Sequence, residues 1–139
     1  MKTRVLDSWA ILEWINERRP AHDRVDALLA EADSGKARLV MSAINVGEVY
    51  YILRKKHSES LAETWREASR TLPVTIETPT EEDIWSAALV KGQYPISYAD
   101  AFAAALAQKY NCRLVTGDPE FGAVKHLDLD WISDPRRTN

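Results

Sequence analysis

Two rhythms of apolar and polar residues take turns along this chain. Short apolar runs fall at residues 3–6, 38–41, 73–77, 112–116 and 129–132, each the length of a buried strand. Between them apolar residues return every three or four positions, the spacing of an amphipathic helix. Trp9, Ile11, Leu12 and Ile15 predict a first helix running up to Pro20. Val25, Leu28, Leu29 and Ala32 give the face of a second, from about Asp23 to Asp33, closed by Ser34-Gly35 as a left-handed cap. Ser42 caps a helix reaching about His57, and Ser58 opens another to Thr71. Thr80 with Glu81, Glu82 and Asp83 has the form of an N-cap with first-turn acids, opening a helix to about Lys91. After a loop at Gly92-Gln93-Tyr94-Pro95, Ser97 caps a strongly apolar helix from Tyr98 to Tyr110. Strands alternating with helices predict an α/β sandwich around a mostly parallel sheet of four to five strands.

Composition bounds the rest. With 139 residues the chain is expected to form one domain over 1–139, with a tail that frays from about 134. A hydrophobic content of 45% and a charged content of 28% fit an ordinary globular protein. The net charge of −3 does not announce a nucleic-acid binder, but a local basic rim can still steer a polyanion to an acidic cleft. Cys112 is the only cysteine, which rules out an intrachain disulfide and fits a cytoplasmic location. Asp7 and Glu13 interrupt the N-terminal apolar run, so no signal peptide is expected, and no stretch has the length of a membrane span.

Four acids sit awkwardly on this pattern. Asp7 and Asp118 end apolar strand-like runs, Asp100 opens the alanine-rich helix, and Glu48 shares a helical face with Ile44 and Ile52. Each has an ordinary use: Asp7 as an N-cap, Glu48 at the edge of its stripe, Asp100 as a first-turn acid, Asp118 in the turn Gly117-Asp118-Pro119. Taken together they face one end of a parallel sheet, where ligands bind beyond the carboxyl ends of strands. Carboxylates gathered in an apolar setting call for a cation or for protonation, and oxygen donors suit Mg²⁺ or Mn²⁺.

The ordered motifs Val5-Leu6-Asp7-Ser8, Asn45-Val46-Gly47-Glu48-Val49, Ser97-Tyr98-Ala99-Asp100-Ala101-Phe102 and Leu114-Val115-Thr116-Gly117-Asp118-Pro119-Glu120-Phe121 resemble those of the PIN-domain nucleases, and among these the VapC-type ribonuclease toxins of toxin–antitoxin pairs. The resemblance spans nearly the whole chain and implies a PIN-like three-layer α/β/α sandwich. It also implies Mg²⁺-dependent hydrolysis of RNA, with Mn²⁺ as an alternative ion. Asp7, Glu48, Asp100 and Asp118 would be the catalytic acids. Asp7, Asp100 and Asp118 would hold the metal, and Thr116 and Ser8 would be the supporting hydroxyls. Glu120 is expected at the periphery. Trp9 departs from the family pattern, which carries small residues there, and is expected to pack on the core. The resemblance further implies a cognate antitoxin, with apolar residues such as Trp14 as contacts, and a homodimer.

Rival enzyme classes fit less well. A response-receiver domain needs an acceptor Asp after its middle strand, where Met41-Ser42 stand, and a Lys near Thr116-Gly117. A haloacid-dehalogenase site needs an Asp where Trp9 stands, and no phosphate-binding glycine loop is present. A non-toxin PIN nuclease of RNA processing and a catalytically silent PIN-like binding module remain as alternatives. His22, His57 and His126 lie outside the motifs. Tyr50, Tyr51, Trp65 and Trp85 read as core or partner contacts. Arg18, Arg19, Arg54, Lys55, Lys56 and Lys91 stand at helix ends, where cations offset the dipole, or else guide the substrate.

Overall fold

The computed structural model describes residues 1–133; the expected frayed tail, 134–139, lies outside the described residues. The elements are β1 (Lys2–Leu6), α1 (Ser8–Ile15), α2 (Ala21–Asp33), β2 (Ala37–Ser42), α3 (Ala43–Lys56), α4 (Glu59–Ala68), β3 (Thr75–Glu77), α5 (Glu81–Gln93), α6 (Tyr98–Lys109), β4 (Arg113–Thr116) and β5 (Leu129–Trp131). A single 3₁₀ segment, Pro119–Ala123, follows β4. The five strands form one sheet in the order β3-β2-β1-β4-β5, with every pairing parallel. The PIN-like α/β fold predicted above is the fold observed.

Strand alternation divides the core in two. Val5, Val40 and Leu114 face α5 and the alanine-rich α6, while Leu6, Leu39, Met41 and Val115 face α1 to α4. Neighbouring residues of one strand therefore serve opposite layers, as the period of two requires. The alanines of α6, buried from Ala101 to Ala107, let that helix lie close against the sheet and α5.

Helix ends were only partly legible. Gly35 takes the left-handed conformation (φ 79°) that the Ser34-Gly35 pair predicts, and Lys36 N–H reaches back to Glu31 O. The first helix, expected to reach Pro20, stops at Ile15 because Glu17 adopts φ 55° and Arg18 N–H bonds Glu13 O. That is the same Schellman closure built on a glutamate, which no propensity rule flags.

β1 lies between β2 and β4, so the chain winds one way from β1 through β2 to β3 and the other way through β4 to β5. The reversal opens a crevice at the carboxyl ends of β1 and β4. Register pairs Leu6 with Val115, which brings the next residues, Asp7 and Thr116, side by side at that mouth.

Candidate metal centre

Asp7 is 1% exposed, and its two oxygens have separate duties. Oδ1 caps α1 by accepting from Ala10 N–H at 2.8 Å, and Oδ2 accepts from the Thr116 hydroxyl. Thr116 Oγ1 in turn accepts from Asp118 N–H at 3.0 Å, fixing the turn that leaves β4. Asp118 then caps the 3₁₀ segment through Glu120 N–H, also at 3.0 Å. One threonine thus joins the acids that follow the two central strands.

On the other side Ser8 donates its hydroxyl to Glu48 Oε1. Asn45, fully buried one helical turn earlier, donates to Ser8 Oγ at 3.4 Å and to Ala99 O at 3.1 Å, next to Asp100. The core-facing line of α3 is therefore Asn45, Val49 and Leu53, while Ile44 and Ile52 flank it. Glu48 stands at the edge of the buried face, turned toward α1.

Asp100 is buried in the first turn of α6, where Ser97 Oγ accepts its N–H at 3.1 Å. The reciprocal bond of a capping box exists at Thr80 and Asp83 and is not made at Ser97 and Asp100. Asp100's carboxylate thus turns away from its own cap. Oxygens of Asp100, Asp118 and Glu120 lie within 4.8 Å of one another. Glu120, expected at the periphery, is exposed and joins this trio from the rim, beside Asp118.

The electrostatics agree with crowding. Burial pushes the Asp7 carboxyl up from 3.8 to about 7 against the hydrogen bonds of Thr116 and Ala10, and the charges of Asp118 and Glu48 add to the rise. Burial likewise raises Asp100 to about 8, reinforced by Asp118, Asp7 and Glu48. Among the described residues none of these five acids forms an ion pair; the bridges all lie elsewhere. An all-oxygen donor set with no protein cation to balance it fits a hard divalent ion.

Trp9 does not sink into the core. It is 37% exposed, and its indole lies against Gly117, where an added Cβ would sit 2.5 Å from Trp9 Nε1 and 2.1 Å from Ser133 Oγ. A side chain at 117 would have to displace both of them.

A family model for the PIN domain matches residues 4–127. The chain belongs to the PIN-domain family. No curated protein sequence matches it. Solved structures share the PIN fold at low identity. A chain of VapBC2 from Rickettsia felis, solved with a promoter DNA fragment, superposes with a TM-score of 0.72 at 16% identity, covering 92% of this chain and 97% of that one. VapC20 of Mycobacterium tuberculosis, a sarcin–ricin loop cleaving toxin, gives 0.71 at 17% over 88% and 95%. A chain of VapBC-1 from nontypeable Haemophilus influenzae gives 0.64 at 22% over 93% and 97%. Within this PIN domain, the acids of the four motifs occupy the switch-point crevice.

Proposed function

We propose that the whole chain is one PIN domain acting as a divalent-metal-dependent endoribonuclease, the toxin of a toxin–antitoxin pair. The observation that carries this reading is a set of carboxylates at the mouth of β1 and β4, two of them buried and raised toward or above neutral pH, with no counter-cation among the described residues.

Asp7, Asp100 and Asp118 would hold Mg²⁺ or Mn²⁺, which when bound supplies a Lewis acid and an acidified water for phosphodiester hydrolysis. The protein's own share is positioning. Thr116 and Ala10 fix both oxygens of Asp7. Ser8 aims Glu48, leaving its second oxygen to orient the attacking water. Single-stranded or looped RNA is the substrate class, because such strands can enter a shallow acidic crevice and be splayed there. That VapC20 cleaves an RNA loop supports the same choice.

Partners follow from the same kinship. The VapBC complexes support a cognate antitoxin. A cavity of about 360 Å³ among α1, α2 and α4, lined by Trp14, Ile15, Leu61 and Trp65, offers it an apolar seat. The outer face of α5 exposes Trp85 and Leu89, a surface suited to a homodimer. Among the described residues no helix is long and apolar enough to cross a membrane, and we place the protein in the cytoplasm.

The test pairs Mn²⁺ titration calorimetry with cleavage of a labelled RNA. The parent should bind Mn²⁺ and cut; Asp7→Asn with Asp100→Asn should do neither. Cleavage at the parent rate by that double variant refutes the assignment.

A further inference from the structure

Trp9, two residues past Asp7 and packed against Gly117, is also the wall of a second cavity. This cavity, of about 340 Å³, lies between α1 and α3. Leu12 and Ile52 line it with Trp9, and its charged or polar wall includes Glu13 as well as Arg18, Lys56 and His57. Its two ends differ. At one end Trp9, two residues past Asp7, leans on Gly117, the neighbour of Asp118. At the other end lie Lys56 and His57, two turns of α3 beyond Glu48, which is roughly 12 Å at the helical rise. Arg18 is answered by Glu13 at 3.6 Å, whereas Lys56 and His57 have no acidic partner among the described residues.

An exposed indole on the residue two past Asp7, with Lys56 free of an ion pair among the described residues farther out, gives the cavity an aromatic end and a basic end. Stacked bases want a flat aromatic wall, and the backbone attached to them wants positive charge. An aliphatic protein segment would use neither the indole's open face nor the cations.

We propose that this cavity is a nucleotide subsite, in which Trp9 stacks on a base flanking the scissile phosphate and Lys56 with His57 holds the next phosphate along the strand. The proposal rests on RNA being the substrate, but its measurement does not depend on cleavage. It explains a bulky ring at position 9 and gives the basic end of α3 a task beyond offsetting a dipole.

The test is the affinity of the full chain for a fluorescein-labelled single-stranded oligoribonucleotide, by anisotropy in EDTA. Trp9→Leu should weaken binding roughly 5- to 100-fold, the range for a lost base–aromatic stack. Trp9→Phe should recover part of that loss, which guards against a folding defect. Lys56→Gln with His57→Gln should flatten the salt dependence of binding. Parent-like affinity in well-folded Trp9→Leu overturns the proposal, as does an absence of binding by the parent. If Trp9→Leu leaves RNA affinity intact and instead loses a purified antitoxin, the cavity belongs to a protein and the proposal fails. A parent that binds RNA and never cuts it removes the nuclease reading and leaves the subsite standing; unchanged affinity in an active nuclease removes the subsite alone.

Discussion

Two acids of this sheet, one half-buried and one buried, have opposite surroundings. Asp130, on edge strand β5, meets Arg24 at 2.7 Å and Arg4 at 3.6 Å, so its charge is met by the protein itself. Asp7, at the end of central strand β1, is buried more deeply and has only hydroxyl and amide donors. A fold that needed a carboxylate only for stability had the means to pair it, as β5 demonstrates. Among the described residues Asp7 and Asp100 have no cation, which keeps the crevice demanding, and that demand is what a divalent ion can meet.

The contrast can be broken by mutation. The largest expected effect is on catalysis: Asp7→Asn should cut RNA cleavage by about 10³-fold or more, roughly 4 kcal/mol of barrier, in a rate assay at saturating Mn²⁺. The same change should raise the melting temperature of the metal-free protein at pH 8, because it removes a carboxylate that burial disfavours. Asp130→Ala should do the reverse. Two arginines would lose their partner, stability should fall by about 3 kcal/mol in urea titrations, and Mn²⁺ affinity should stay within a few-fold of the parent.

The dependence on pH sharpens the comparison further. Asp7 and Asp100 have folded values raised from 3.8 to about 7 and about 8, so their protonated forms favour the folded state. Their contribution is complete below pH 3.8 and is lost as pH rises through 7 to 8. In EDTA the protein should therefore lose several kcal/mol between pH 5 and pH 8.5, and excess Mn²⁺ should restore it at the upper end. A flat pH profile in EDTA would mean that the crevice is less strained than its burial implies. The smallest effect is expected at Thr116→Val. Losing one hydroxyl between Asp7 and Asp118 should cost about 1 kcal/mol of stability and a modest part of the cleavage rate.

Much of this was open to reading in the chain. The strand-ending acids Asp7 and Asp118 were visible because a parallel sheet converts sequence position into spatial edge, and the crossovers were visible in the alternation of rhythms. Asp100 was visible as a first-turn acid, but not the direction of its carboxyl, which depends on a return bond it does not make. The spacing places Glu48 with Ile44 and Ile52 on a stripe that Val49 and Leu53 widen, and the buried line is Asn45, Val49 and Leu53, which leaves Glu48 at the edge. A polar residue heads that line, so hydrophobic periodicity alone finds the stripe but not its centre. Glu120 is exposed beside Asp118 at the rim of the acidic group, a place its spacing of two residues allows. Trp9, expected to pack on the core, depends instead on Gly117, more than a hundred residues along the chain, and that relation has no local spacing.

The central place of β1 has a consequence for synthesis. Asp7 and β1 precede all the other strands in the chain, yet β1 acquires its second neighbour only when β4 at Arg113–Thr116 has been made. A nascent chain leaving the ribosome therefore cannot assemble its pocket until β4 has been translated, and products ending before β4 carry Asp7, Glu48 and Asp100 but lack Asp118 and the strand that seats it.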